Sequence, residues 1–141
     1  MFKSNDIENN TWYGVWSGGG SDPTIENTTI SYNTQGIYCV DHSSPTITWN
    51  DIHNNTDAGV NCTSGSNPVI HYNNIEDNTP DLSDPTLGYG VNNQYPNINI
   101  DAINNWWGHE TGPYHPVLND DGEGNRVSNN VYFEPFSDHR Y

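Results

Sequence analysis

One short pattern returns along this chain with a period too regular for an ordinary globular fold. Three segments opening on proline align without gaps: Pro23-Thr24-Ile25, Pro45-Thr46-Ile47 and Pro68-Val69-Ile70, at spacings of 22 and 23 residues. A fourth, Pro96-Asn97-Ile98, follows after 28 and implies an insertion. Five residues after each of those isoleucines stands another (Ile30, Ile52, Ile75 and Ile103), and Ile7 extends that column backwards. Three positions further on come Asn10, Asn33, Asn55 and Asn78, and then Gly14-Val15, Gly36-Ile37, Gly59-Val60 and Gly90-Val91.

Each unit therefore holds three short strand-like pieces rich in β-branched residues, broken by turn residues too often for any helix. One unit cannot bury its own isoleucines. Stacked about 4.8 Å apart, each column buries itself on the next. The pattern predicts an all-β chain, a right-handed parallel β-helix of about four to five coils, with the asparagines bonded into a ladder. The reading is a single domain, 1–141: coils over 1–105, an insertion loop at 79–87 and a capping tail over 106–141.

These Pro-x-Ile, Ile-x-x-Asn and Gly-Val units resemble the repeats of the pectate-lyase-like superfamily, especially its right-handed parallel β-helix repeat proteins. The tail is similar as well: Asn104-Asn105-Trp106-Trp107-Gly108, then Thr111-Gly112-Pro113-Tyr114-His115-Pro116, Asp120 to Asn125, and Phe133-Glu134-Pro135-Phe136. The resemblance implies an extracellular or cell-surface setting. It does not imply one reaction, because the superfamily includes lyases, hydrolases, epimerases and adhesive proteins, and fold does not choose among them. Physically, Trp106, Trp107, Tyr114, Phe133 and Phe136 are expected to cover the last coil. An open coil end exposes apolar side chains and unpaired edges. No comparable cap is visible at the start, where Met1-Phe2-Lys3-Ser4 leads straight into repeat sequence. Preceding coils, a second copy, or Phe2 and Trp12 would have to cover it.

Charge narrows the partners. Three Lys+Arg stand against 18 Asp+Glu, for a formal net charge of −15. Nucleic acid and anionic membrane surfaces are excluded for want of a basic face, and an anionic polysaccharide would be repelled without a bridging cation. No apolar run approaches a membrane span. Neutral glycans, cations and basic partners remain.

Candidate chemistry follows from the columns. Asp6, Thr29, Asp51, Asn74 and Ala102 precede the second isoleucine, and Glu8, Ser31, His53, Glu76 and Asn104 follow it. Asp51, His53 and Glu76 then share one sheet face within two coils, an arrangement open to an acid/base pair of carboxylates with a histidine assisting. Trp16, Tyr38, Asn61 and Asn92 form an outward column, a flat surface for a neutral glycan, with His71 on a neighbouring stripe. Asp120, Asp121 and Glu123 offer hard oxygen ligands for calcium, although their loop departs from the usual calcium-loop spacing. His109 and His115 have no zinc spacing and are read as orienting the cap. Cys39 and Cys62, each three after a repeat glycine, are read as stacked buried thiols in preference to a disulfide, because parallel Cβ vectors suit a disulfide poorly.

Three function classes stay open on the sequence: a secreted or surface module acting as scaffold or neutral-carbohydrate-contacting surface without catalysis, the C-terminal part of a polysaccharide hydrolase or lyase, and a structural protein whose copies stack end to end as a homo-oligomer.

Overall fold

A computed structural model of the chain describes residues 5–84 and 87–141 in full and residues 2–3 by their backbone. Four coils of three strands follow one another. They are β1 (Phe2–Lys3), β2 (Asp6–Glu8) and β3 (Tyr13–Ser17); β4 (Thr24–Glu26), β5 (Thr29–Ser31) and β6 (Gln35–Cys39); β7 (Thr46–Thr48), β8 (Asp51–His53) and β9 (Ala58–Cys62); and β10 (Val69–His71), β11 (Asn74–Glu76) and β12 (Tyr89–Asn93). β13 (Ile100–Asp101) and β14 (Val131–Tyr132) complete the set. β1, β4, β7, β10, β13 and β14 stack into a first sheet, β2, β5, β8 and β11 into a second, and β3, β6, β9 and β12 into a third. All these strand pairings are parallel, so the chain is a solenoid, with β10 about three turns on from β1.

The isoleucine columns form the core. Ile25, Ile47 and Ile70 line the first sheet, Ile30, Ile52 and Ile75 the second, and Ile37, Val60 and Val91 the third, all with no exposed surface. Ladder hydrogen bonds hold the corners. Asn33, Asn55 and Asn78 each accept, through Oδ1, both the backbone N–H and the side-chain N–H of the rung before: Asn10 to Asn33, Asn33 to Asn55, Asn55 to Asn78. Each buried rung's Nδ2 also donates back to a carbonyl of an earlier coil, as Asn55 does to Ile30. The repeat glycines sit beside this ladder. A Cβ on Gly59 would lie 2.7 Å from the Gly90 carbonyl oxygen and 2.9 Å from Asn78 Nδ2, so no side chain fits.

The fourth-coil register differs from the sequence reading. Val69 pairs with Asp101 and Asn73 bonds to Asn105, an offset of 32 residues. Ala102 thus takes the place of Ile70, and Trp107, next to the Trp106–Asn74 bridge, takes the place of Ile75. Ile103 is not in the second isoleucine column, and Ala102 and Asn104 are not the fifth members of the outward stripes. Pro96 misled the alignment because it lies in a corner turn; Ile100 occupies the repeat proline's position and is buried.

This register reveals a second ladder, in which Asn50 donates to Asn73 and Asn73 to Asn105. The first ladder also runs on into the tail, since Asn78 donates to Asn125. Tail residues therefore continue the sheets: Val127 bridges Val91 and β14 pairs with β13. Trp107 and Phe133 join the buried core, with Phe136 packed against it, while Trp106 and Tyr114 are only partly covered. At the other end Trp12 is 68% exposed, so it does not cover the first coil; the side chain of Phe2 lies outside the described residues. Residues 85 and 86 of the insertion loop also lie outside them.

Cys39 and Cys62 are register partners and both are free and fully buried. The Cys62 thiol is pushed up from its ordinary value, first by its hydrogen bond with Cys39 and then by burial. Cys62 is therefore not a nucleophile at neutral pH, and burial closes both thiols to reagents. A thiol reagent such as Ellman's should find neither cysteine in the folded protein and both after denaturation; rapid reaction in the native state would contradict this packing. A second test concerns the ladder. Asn55→Ala removes a buried rung with bonds to coils on both sides and should cost about 3 kcal/mol or more in urea unfolding, whereas exposed Asn10→Ala should cost under about 1 kcal/mol.

Candidate functional site

Four corners of the first ladder-bearing edge share one local form: one residue with positive φ, then a residue of the second ladder column. Asn27, Trp49, Tyr72 and Asn104 hold the first position with φ of 50°, 58°, 58° and 57°. Asparagine tolerates this left-handed conformation. For a bulky aromatic it is a real outlier. Trp49 and Tyr72 nonetheless occupy it, and their rings stack with centroids 5.0 Å apart and planes 11° from parallel. The rings follow the stacking of the coils. One face of Trp49 covers Tyr72 and the other looks towards the preceding coil, where the column offers only Asn27.

A cleft of about 260 Å³ opens there, lined by Asn27, Thr28, Thr29, Trp49, Asp51, Tyr72, Asn74 and Tyr141. Its far wall is the last stretch of chain, 137–141, which folds back across the second sheet. Asn74 clamps it as a strand neighbour would: its Oδ1 accepts from the Tyr141 N–H at 2.9 Å and its Nδ2 donates to the Tyr141 carbonyl at 3.2 Å. The Tyr141 hydroxyl donates to the Asn104 carbonyl at 2.7 Å, and its ring meets Trp49 and Tyr72 edge-on.

The same strap brings Arg140 to the two carboxylates singled out in the sequence. Arg140 Nε donates to Glu76 Oε1 at 2.8 Å, and Nη2 lies 3.1 Å from Asp51 Oδ1. The hydrogen bond to Glu76 raises the guanidinium above its ordinary value; burial opposes it, and the charges of Asp51 and then Glu76 add to the rise. Glu76 Oε2 accepts from Trp106 Nε1 at 3.1 Å, so both of its oxygens are taken by donors. That is the arrangement of an anchoring carboxylate, not of a proton donor facing a substrate. His53 does not join the pair: its Nδ1 lies 2.7 Å from Asn54 Oδ1 and its ring packs edge-on to Tyr32. Asp51 and Glu76 are thus gathered, but around an arginine.

The other predicted residues fare differently. Trp16, Tyr38, Asn61 and Asn92 do form one register column on the third sheet. Its middle is closed, however. Tyr38 stacks on Tyr13 at 4.6 Å, and Asn61 is 3% exposed and bonded to Gln35, so the column is not a continuous open platform. The cause is the register column three residues earlier, whose Tyr13 and Gln35 side chains reach over it. His71 Nε2 lies 2.9 Å from Asp101 Oδ1. Asp120 and Asp121 are exposed, and Glu123 stands 3.6 Å from His109 Nε2. Among the described residues no three His, Cys, Asp or Glu side chains come together as a metal site, so Asp120, Asp121 and Glu123 are not gathered into one. His115 is buried in the tail, its Nδ1 accepting from Val117 and Leu118 and its Nε2 facing Asn129.

Two larger hollows, about 320 and 370 Å³, flank Leu118 at the C-terminal end. They are walled chiefly by Val117, Val131, Tyr132 and Phe133, with the ring nitrogens of His115 already engaged. The smaller cleft is the one where an aromatic face, a carboxylate and amide groups converge.

The repeating coils, the two ladders and the tail that extends them define a solenoid of the β-helix class. The chain belongs to the right-handed beta helix region family, whose model matches residues 1–133. No curated protein and no solved structure matches the chain.

The strap's attachment is testable by itself. In Asn74→Ala the amide of Tyr141 loses its acceptor, and its hydrogen exchange should rise to that of an unprotected amide while the Ile75 amide stays slow. Unchanged protection of Tyr141 would mean that Asn74 is not the clamp.

Proposed function

We propose that this chain is a secreted or surface β-helix module without catalysis of its own, and that it contacts carbohydrate through the Trp49 cleft. The observation that carries the reading is the strained, stacked aromatic pair. Holding Trp49 and Tyr72 at positive φ costs on the order of 1–3 kcal/mol each, where an asparagine would sit with ease. Such strain tends to be kept where it presents a side chain for use. A half-exposed indole face beside Asn27, Thr29, Asp51 and Asn74 suits a sugar ring: apolar C–H faces stack on the ring while hydroxyls meet amide, hydroxyl and carboxylate groups. Strongly negative overall charge turns anionic polysaccharides away and leaves neutral ones unaffected. The acid/base alternative lacks comparable support, because both oxygens of Glu76 are engaged and His53 points elsewhere.

The test is titration calorimetry of the whole chain with neutral β- and α-linked tetrasaccharides, chosen by a glycan array. Trp49→Ala should weaken binding about tenfold or more, from loss of a stacking surface worth roughly 1–2 kcal/mol. Trp16→Ala, on the third sheet, should leave it unchanged. Binding lost with Trp16 and kept without Trp49 would move the working surface to the other face, and no binding to any neutral glycan would remove the proposal.

A further inference from the structure

Asp51 belongs to two things at once: it lines the cleft and it is one half of the carboxylate pair that Arg140 bridges. Its Oδ1 accepts from Asn74 Nδ2 at 2.6 Å and lies 3.1 Å from Arg140 Nη2, while its Oδ2 takes no hydrogen bond from the described residues. Glu76 has both oxygens occupied. One guanidinium between two carboxylates leaves one negative charge over, and the open oxygen places it on Asp51, beside the free face of Trp49. Arg140 itself shows that the pair of carboxylates holds a nitrogen cation, here a guanidinium. It is one of only three Lys+Arg in a chain of formal net charge −15.

We propose that the cleft takes an amino sugar in its protonated form, a glucosamine-type residue whose ring lies on Trp49 and whose ammonium meets Asp51. This rests on the carbohydrate-contact reading above and names the sugar class within it. An ammonium has donors for Asp51 Oδ2 and for the amide oxygen of Asn27. Its N-acetylated counterpart brings no charge and adds bulk at the same point. Arg140 tunes the site by cancelling the second charge, so that one cation and not a divalent ion matches the remainder.

The experiment compares three β-1,4-linked tetrasaccharides by calorimetry on the whole chain: the glucosamine tetramer, the N-acetylglucosamine tetramer and cellotetraose, at fixed ionic strength near 0.15 M. The glucosamine tetramer should bind about fivefold tighter than cellotetraose, the order of one partly screened charge contact. Asp51→Asn, which keeps the shape of the side chain, should abolish that margin. Arg140→Ala should widen it, because a second carboxylate charge is uncovered. Trp49→Ala should lose all three ligands. Equal affinity for the three tetrasaccharides, still dependent on Trp49, would overturn the amino-sugar assignment and leave carbohydrate contact standing. A preference that survives Asp51→Asn would trace to the overall charge and overturn it too. Failure of all three to bind, together with a silent neutral-glycan array, would end both readings.

Discussion

Each ladder asparagine turns one oxygen into the acceptor for two N–H groups of the preceding rung, while its own amide reaches back to a carbonyl of an earlier coil. Three coils are stitched at a point where the backbone bends through a left-handed residue and would otherwise strand its polar groups. With a net contribution of about 1 kcal/mol per bond, an interior rung is worth several. More important is what it forbids. A coil that slips by one residue loses the rung and turns every core isoleucine outward. Register, core and the outward columns all follow from that one bonding pattern, including the column that carries Trp49 and Tyr72.

Much of this is legible in the chain itself. Ile25, Ile47 and Ile70 announce a column because identical apolar residues recur at nearly constant spacing, and Asn33, Asn55 and Asn78 do the same for the first ladder. The second ladder is harder to see because its early member is Thr28, and because a proline out of register, Pro96, draws the eye from the true partner Asn105. Asn125 stands 47 residues from its rung at Asn78, with a long tail loop between them. No spacing rule survives that separation. Within the site, the grouping of Asp51 and Glu76 is readable from strand register alone. Arg140 is not. It arrives through a strap whose clamp joins Asn74 to Tyr141, 67 residues apart. The signal that was available and unused is the residue before each second-ladder asparagine, where Asn27 gives way to Trp49 and Tyr72.

That substitution separates stability from use. Asn27 and Asn104 show what the corner accommodates without strain, at nearly the same φ as the aromatics. Stacking the two rings recovers only about 0.5–1.5 kcal/mol beyond area burial. Trp49 remains half exposed, so burial returns only part of its hydrophobic worth. The ladder behind it supplies the rigidity that keeps the indole where it stands. An aromatic on a flexible loop would lose that position for lack of such support.

The ladders also have a direction. Donors point from each coil to the next one towards the C-terminus. At that end they stop: Asn125 turns its side-chain donor back to the Asn78 carbonyl, and Asn105 donates to the carbonyls of Ile70 and Ala102. A copy arriving there finds bonds already made, with Trp107 and Phe133 buried beneath the tail. The tail thus completes both ladders on the C-terminal side of the described coils.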